Sequence, residues 1–264
     1  MGIGAESSLW RRFLLRSFAE IYLRRRGATP AGVFEIYVSG GSSLKMFDPR
    51  GLPIDPVHLA FIRNWVKPDS VVWDIGANLG LFAFSSALIT KRGGVFAFEP
   101  DDDVARSISR SINLPANRGL HISVMSMAVS DQDGTAEFEV SSHGTAMSRL
   151  KGEGPWHTVK ARAVRSVVTR KIDTLAEGLP PPSIIKIDVE GAEMKVLEGG
   201  RKTIHQSRPV MLIEGPRELW DALGAFLREY DYVMLDGAGD KTEPLTHPVW
   251  DTVAVPAEHY SGIG

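Results

Sequence analysis

Four short apolar runs of this 264-residue chain each end on a carboxylate, at residues 71–74, 95–99, 184–188 and 210–214. The terminal residues are Asp74, Glu99, Asp188 and Glu214. Runs this short, separated by stretches long enough for a helix, predict buried strands of a parallel sheet. Ligands bind such sheets outside the carboxyl ends of the strands. Because an acidic edge repels itself unless a cationic or hydroxyl-rich group sits there, the pattern predicts both the place of a site and the charge of its ligand.

Composition excludes several classes of protein. The chain is 43% hydrophobic and 23% charged, as expected for a globular protein with a sizeable core. A net charge of −2 argues against a dedicated nucleic-acid binder. The chain has no cysteine, and its histidines, His58 among them, show no tight spacing with carboxylates, so we expect neither disulfides nor a structural zinc site. No apolar run approaches the roughly 18–20 residues of a membrane-spanning helix, and early arginines interrupt any signal-peptide core, so we expect a cytoplasmic protein.

The first 56 residues are predicted to be an extension. Residues 8–26 combine six arginines with apolar residues near helical spacing, which predicts a basic amphipathic helix. Such a helix packs on the domain, covers the substrate cleft, or makes peripheral contact with an anionic inner membrane surface. Residues 33–38 and 43–47 are predicted to form a hairpin around a turn at 39–42.

Residues 57–264 are predicted to form one doubly wound α/β domain, because strand and helix patterns alternate along them. A third strand is expected at 120–128. Residues 134–141 and 157–164 alternate apolar and polar side chains, which predicts an antiparallel insertion. Strands at 232–235 and 250–255 form a close final pair joined by a loop rich in Gly, Pro and Thr, which predicts an antiparallel hairpin at one edge of the sheet.

A glycine turn follows the first core strand. Gly76 permits a tight turn and close approach of a ligand, and Gly80 lets the next helix pack near the strand. Glu99, at the end of the next strand, can accept both hydroxyls of a ribose. Asp74 would repel a pyrophosphate but attract an ammonium group, which disfavours an NAD-dependent oxidoreductase without excluding it. The turn suits a ligand with a ribose and an α-amino group, and S-adenosylmethionine has both together with a cationic sulfonium.

An ordered set of motifs resembles the FkbM family of S-adenosylmethionine-dependent methyltransferases. The motifs are Asp-Ile-Gly-Ala-Asn at 74–78, Phe-Glu-Pro at 98–100, Ala-Val-Ser-Asp at 128–131, Lys-Ile-Asp-Val-Glu-Gly-Ala-Glu at 186–193, Pro209 and Ile-Glu at 213–214. The resemblance covers roughly residues 71–255, and the block at 186–193 is its most specific piece. It implies a class I methyltransferase fold, with a mainly parallel seven-stranded sheet, and O-methylation of hydroxyls on sugars or polyketide-derived natural products.

The resemblance and the charge pattern together assign the cofactor site. Glu99 is expected on the ribose hydroxyls, Asp74 at the methionine end directly or through water, and Met127 and Ala128 beside the adenine. The predicted cofactor-binding residues are Asp74, Gly76, Ala77, Asn78, Gly80, Glu99, Pro100, Met127 and Ala128.

The chemical step requires an aligned acceptor oxygen and a group that takes its proton. The candidates are Asp188, Glu190, Glu214 and His143, the last of which lies in the predicted insertion. We expect Asp188 or Glu190 to be the base, or to hold a divalent cation together with Glu214. Lys186 lies inside a buried strand and is expected to pair with a carboxylate.

The sequence therefore predicts an S-adenosylmethionine-dependent O-methyltransferase acting on a small hydroxylated acceptor, such as a sugar, a glycolipid or a polyketide-like compound. The alternative from another class is a non-catalytic S-adenosylmethionine-binding module that docks through the basic N-terminal helix. Nucleic acid is not expected as a partner, and the sequence does not indicate the oligomeric state.

Overall fold

The computed structural model describes residues 22–39, 44–141, 147–153, 161–239 and 243–260. The strands are β1 (Tyr22–Thr29), β2 (Gly32–Ser39), β3 (Val71–Ile75), β4 (Gly94–Phe98), β5 (Ile122–Met125), β6 (Ala128–Val129), β7 (Gly134–Ser141), β8 (Arg149–Leu150), β9 (Ala161–Arg170), β10 (Ile184–Ile187), β11 (Val210–Glu214), β12 (Tyr232–Asp236) and β13 (Asp251–Pro256). The α-helices are α1 (Pro56–Trp65), α2 (Leu81–Ala87), α3 (Asp102–Ile112), α4 (Ile172–Leu175), α5 (Glu193–Glu198), α6 (Arg201–Ser207), α7 (Trp220–Glu229) and α8 (Ala257–Tyr260). Short 3-10 helices cover Leu44–Phe47, Pro115–Asn117 and Arg217–Leu219.

A seven-stranded sheet forms the centre of the described part of the chain, in the order β12-β13-β11-β10-β3-β4-β5. The five strands from β11 to β5 pair in parallel, whereas β13 runs antiparallel to both β11 and β12. The predicted doubly wound, mainly parallel sheet with an antiparallel edge pair is thereby confirmed. The strand order reverses between β3 and β10, where a crevice opens at the carboxyl ends of the strands.

Apolar layers cover both faces of this sheet, which explains why its strands are continuous apolar runs. On one face, Val72 and Ile184 pack with residues of α1, α2 and α3, and on the other Trp73 and Ile185 pack with residues of α5, α6 and α7. Full burial of one such side chain contributes about 1.5–3 kcal/mol to folding. Within the described residues, no helix is both long and apolar enough to cross a lipid bilayer.

The N-terminal extension differs from the prediction. Residues 22–26 were expected to be helical, but they begin β1, which pairs antiparallel with β2 through a turn at residues 30–31. Residues 44–47, expected as a strand, form a 3-10 helix. The reason is tertiary: β2 buries Phe34, Ile36 and Val38 in the main core, and β1 supplies the backbone partners that this strand needs.

The rest of the predicted extension, residues 1–21 and 40–43, lies outside the described residues. Because Phe34 stacks on Phe84 of α2, the described hairpin shares a core with the following domain. The division predicted at residue 56 stays a prediction.

An inserted four-stranded sheet, in the order β6-β9-β7-β8, stands beside the main sheet. The predicted strand at 134–141 is β7, and the described part of the strand predicted at 157–164 opens β9, its antiparallel partner. The strand expected at 120–128 is in fact two. It ends at Met125, and Ala128 begins β6, which pairs with β9 of the inserted sheet. The chain therefore passes from the main sheet into the insertion at the edge of the crevice.

Candidate active site

A cavity opens between the carboxyl ends of β3, β4 and β10 and the inserted sheet. Its empty space, including the part open to solvent, is about 570 Å³. The residues that line it are Gly76, Asn78, Phe98, Glu99, Pro100, Met127, Ala128, Val129, Phe138, Ser148, Leu150, Asp188, Val189, Glu190 and Ala192. It thus brings together most of the predicted cofactor residues with two of the predicted catalytic carboxylates.

The turn after β3 requires glycine at position 76. Gly76 has φ 79°, and a Cβ atom built there would lie 1.8 Å from the carbonyl oxygen of Asp188. The backbone N–H groups of Gly76 and Ala77 both donate to the carbonyl oxygen of Phe98, at 3.0 Å each. The turn is therefore held between β4 and β10, and its bare backbone forms part of the cavity wall.

Glu99 is held at the cavity by backbone donors. Asn78, with φ 48°, donates its N–H to Oε2 at 2.9 Å, and Asp101 donates its N–H to Oε1 at 2.8 Å. Glu99 is 7% exposed, and this burial, reinforced by the charges of Asp101 and Asp74, raises its pKa to about 7 against the effect of the two hydrogen bonds. Each oxygen keeps a further lone pair, so the carboxylate can still accept two hydroxyl groups.

Three predicted cofactor residues, Asp74, Ala77 and Gly80, do not line the cavity. Ala77 is buried in the core, and Gly80 adopts φ 78° as the N-cap of α2, where it closes the turn. These two residues act on the shape of the site from beneath.

Asp74 is fully buried. Its Oδ1 lies 3.8 Å from Nζ of Lys186, and neither oxygen has a well-formed hydrogen bond among the described residues, although the Ala83 N–H is near enough to favour the ionised form. Burial raises the pKa of Asp74, and Lys186 opposes the shift. A contact between Asp74 and the methionine end of a cofactor requires a bridging water or a movement of the turn, so this contact stays a prediction.

Lys186 joins the strands under the crevice. Its ammonium donates to Oδ2 of Asp188 at 3.0 Å and to the carbonyl oxygen of Gly76 at 3.2 Å. Burial disfavours the charged lysine, but the carboxylates of Asp188, Asp74 and Glu214 outweigh it and raise the Lys186 pKa. The expected pair between Lys186 and a carboxylate is present. Burial raises the pKa of Asp188 itself. Asp188 thus lines the cavity while one of its oxygens is hydrogen-bonded to the Lys186 ammonium.

Glu190 lies on the cavity wall in a left-handed conformation, with φ 56°. This backbone is unfavourable for a non-glycine residue by roughly 1–2 kcal/mol. The loop is held by Glu193, whose Oε1 accepts the N–H groups of Val189 and Gly191 at 3.3 and 3.0 Å. Burial, followed by the charges of Asp188, Glu193 and Glu214, raises the Glu190 pKa to about 8. The strained loop thus presents a carboxyl group that takes up a proton near neutral pH.

His58 pairs with Glu214, a contact that the sequence analysis did not predict. Its Nε2 is 2.6 Å from Oε1 of Glu214, and both side chains are mostly buried. Burial alone would raise the Glu214 pKa, but the hydrogen bond from His58 and the charge of Lys186 lower it. The sequence carries no signal for this contact because 156 positions separate the partners.

The carboxylates proposed for a divalent cation are arranged differently from a metal site. Asp188 is bonded to Lys186 and Glu214 to His58, while Glu190 stands on the cavity wall. Within the described ranges, no group of three or more His, Asp or Glu side chains is placed to hold a metal ion. The divalent cation stays a prediction, and His143 lies outside the described residues.

Sequence reasoning missed much of the cavity wall. The missed residues are Phe98, Val129, Phe138, Ser148, Leu150, Val189 and Ala192. Phe98, Val129 and Val189 are adjacent in sequence to predicted site residues, and this adjacency could have identified them. Phe138 and Leu150 come from the inserted sheet and Ser148 directly precedes its strand β8; the alternation predicted strands but not which side chains would reach the cavity.

Comparison with known proteins identifies relatives of this chain. The family model described as Methyltransferase FkbM domain matches residues 74–234. The 2-O-methyltransferase NoeI of Sinorhizobium fredii is 27% identical over 177 residues, which are 62% of this chain and 71% of NoeI. The hexuronic acid methyltransferase AglP of Haloferax volcanii is 30% identical over 139 residues, which are 50% of this chain and 51% of AglP.

Among solved structures, the crystal structure of a methyltransferase FkbM from Methylobacillus flagellatus aligns with a TM-score of 0.50 at 20% identity. The alignment covers 76% of this chain and 47% of that one, and it supports the fold. The chain therefore spans only about half the length of AglP and of the crystallised relative.

Proposed function

The chain belongs to the FkbM family of S-adenosylmethionine-dependent methyltransferases, and we propose that it transfers the methyl group to a hydroxyl of a sugar. The cavity at the crevice carries this proposal. Glu99 offers free lone pairs for two ribose hydroxyls, and Gly76 lets a ligand approach the backbone closely. Asp188, whose ionised form Lys186 favours, gives the opposite wall a negative charge that favours a cationic ligand.

The adenine end of the cofactor is assigned to the side of the cavity near Met127 and Ala128. These residues follow β5 and open β6, and they stand with Phe138 and Leu150 around the apolar part of the wall. An adenine ring buried there loses contact with water on both faces, which is the main favourable term for an aromatic group.

S-adenosylmethionine, when bound, supplies an electrophilic methyl group on a positively charged sulfur. The protein's part is to exclude water, orient the acceptor hydroxyl and take its proton. Glu190 is our candidate for the proton acceptor, because it lines the cavity and no hydrogen bond of its side chain is seen among the described residues. Its pKa of about 8 is suited to a base that works near neutral pH.

Asp188 is the second candidate for a group that touches the acceptor. Its Oδ2 is committed to Lys186, which favours its ionised form and leaves Oδ1 for a hydroxyl donor. We assign to it the orientation of the acceptor and to Glu190 the removal of the proton. His143 of the insertion stays a candidate.

The sugar acceptor rests on the relatives. NoeI is a 2-O-methyltransferase and AglP a hexuronic acid methyltransferase, so hydroxylated carbohydrates are the first class to test. A glycolipid acceptor falls in the same class. A cytoplasmic location and peripheral membrane contact through the N-terminal segment remain proposals.

The test is methyl transfer by the purified full chain from radiolabelled S-adenosylmethionine to a panel of mono- and oligosaccharides, with and without EDTA. We expect labelled sugar, and at least a hundredfold loss in Glu190→Gln, at the lower end of the range for general-base catalysis. Glu177→Gln changes an exposed carboxylate far from the cavity and is the matched control. Calorimetry that finds no binding of S-adenosylmethionine, or binding without turnover of any acceptor, would contradict the proposal.

A further inference from the structure

Arg165 lies in β9 of the inserted sheet and links this sheet to the cavity wall around Glu99. Side chains of a strand alternate between faces, so Arg165 shares its face with Ala163 and Val167. Both neighbours belong to the apolar cluster that also contains the cavity residues Phe138 and Leu150. The Arg165 guanidinium interrupts this apolar surface, and the hydrogen bonds that it makes to two aspartates explain its position.

The guanidinium of Arg165 makes a two-pronged contact with the start of α3. Its Nη1 donates to Oδ1 of Asp101 at 2.9 Å, and its Nη2 donates to Oδ2 of Asp103 at 2.7 Å. The Asp101 carboxylate is 2% exposed and that of Asp103 is 45% exposed, so the Asp101 pair is the more buried of the two, although the guanidinium itself is 35% exposed. The rigid fork of arginine suits two carboxylates at once, which a lysine ammonium cannot reproduce.

Asp101 transmits this contact to Glu99. Its side chain caps α3 by accepting the N–H of Asp103, and its own backbone N–H donates to Oε1 of Glu99 at 2.8 Å. One residue therefore joins the arginine of the insertion, the N-terminus of a helix and the carboxylate assigned to the ribose. The side-chain conformation of Glu99 therefore depends on the position of Asp101, which donates to it.

We propose that Arg165 is a positioning residue for the cofactor, acting through Asp101 to hold Glu99 in the orientation that binds the ribose hydroxyls. The inference rests on the proposed cofactor site. It adds that the inserted sheet takes part in nucleoside recognition through an ion pair as well as through its apolar wall. Arg165 itself does not line the cavity.

A charge effect accompanies the positioning. The carboxylates acting on Glu99 are Asp101 and Asp74, and both favour its protonated form. Arg165 neutralises Asp101 and, with Arg106, also Asp103. Without the arginine, the negative charge beside Glu99 is uncompensated, and Glu99 ionises at a higher pH.

The experiment measures the affinity of the full chain for S-adenosylmethionine by calorimetry between pH 6 and 9, together with its KM and kcat, in wild type and Arg165→Gln. We expect Kd and KM to rise about tenfold at pH 7, the loss typical of one charge-assisted hydrogen bond, with kcat at saturating cofactor changed by less than about twofold. The pH midpoint of cofactor binding should move upward. A role limited to holding the sheet in place would weaken binding equally at every pH.

Arg162→Gln is the matched control, because it removes the same charge from the exposed face of the same strand. It should bind within about twofold of wild type, as surface substitutions usually do. Arg165→Met, which keeps the long apolar stem, replaces Arg165→Gln if the latter does not fold. Equal affinity and an unchanged midpoint in the Arg165 variant overturn the inference and leave the proposed function intact. Failure of the wild type to bind S-adenosylmethionine overturns both.

Discussion

The imidazole of His58 and the carboxylate of Glu214 meet at 2.6 Å although 156 positions separate them in the chain. His58 comes from the first turn of α1, ahead of the region matched by the FkbM family, and Glu214 is the last residue of β11. The pair fixes α1 against the carboxyl edge of the sheet, and Phe82 of α2 meets the imidazole edge-on. The acidic edge therefore receives a hydrogen-bonding partner from outside the matched family region.

Replacing His58 by alanine should destabilise the protein by about 1–3 kcal/mol, because Glu214 is left mostly buried without its donor. The Glu214 pKa is lowered in the folded protein, so its contribution is present above the unfolded value of about 4.3 and is lost as the pH falls through the folded value. Urea unfolding at pH 7 and at pH 4 measures both effects. The exposed His121→Ala is the control, and equal stability of His58→Ala and wild type at pH 7 would show that the pair contributes nothing.

Gly76→Ala should lower the free energy of unfolding by about 4 kcal/mol or more, because the new methyl group would overlap the carbonyl oxygen of Asp188 and φ is positive. Gly178→Ala is the matched control, since nothing lies within 4 Å of a Cβ atom there. Thermal unfolding and soluble yield measure the difference. A stable, well-folded Gly76→Ala protein would mean that the turn and β10 are not in contact as the structure has them.

Glu99→Ala should weaken the binding of S-adenosylmethionine about tenfold or more, the loss expected for charge-assisted hydrogen bonds of about 1.5–3 kcal/mol. Since the Glu99 pKa is about 7 without ligand, the wild-type affinity should also rise as the pH increases from 6 to 8. Calorimetric titration across this range checks both statements. The exposed Glu177→Ala is the control, and unchanged affinity in Glu99→Ala would remove the ribose role.

Glu190→Gly should make the protein more stable by about 1 kcal/mol while abolishing methyl transfer. Glycine tolerates the φ of 56°, and its introduction also removes a carboxylate crowded by Asp188, Glu193 and Glu214. Chemical unfolding and a methyl-transfer assay on the same preparation test whether stability rises while activity is lost. Asp231→Gly relieves the same backbone conformation, φ 53°, in a turn away from the cavity, so it should gain stability and keep activity. A less stable or fully active Glu190→Gly protein would contradict the assignment.

Much of the fold could be predicted from local patterns. The runs that became β3, β4, β10 and β11 are apolar because both faces of each strand are covered, and that requirement is visible in any one segment. The glycine turn was predictable for a related reason, since a strand, a glycine and a helix in succession constrain the backbone at one place. Glu99 and Asp188 reached the cavity wall as their positions at strand ends implied.

The errors lie where distant segments decide the outcome. Residues 22–26 have helical spacing, yet β1 is a strand because β2 needs a backbone partner, and pairing outweighs a weak local preference. The long strand expected at 120–128 is divided because Ala128 pairs with Thr169 of the inserted sheet. The position of Asp74 beneath the cavity, rather than on its wall, depends on Lys186 of the neighbouring strand.

The sequence by itself determined which segments are buried, where the chain turns and that carboxylates gather at one edge of the sheet, because these follow from the period and chemistry of neighbouring residues. Only the tertiary structure decided which polar and charged groups from distant segments meet: His58 with Glu214, Lys186 with Asp74, and Arg165 with Asp101. Such contacts depend on which surfaces the packed layers bring within a few ångströms, and no local period encodes that distance.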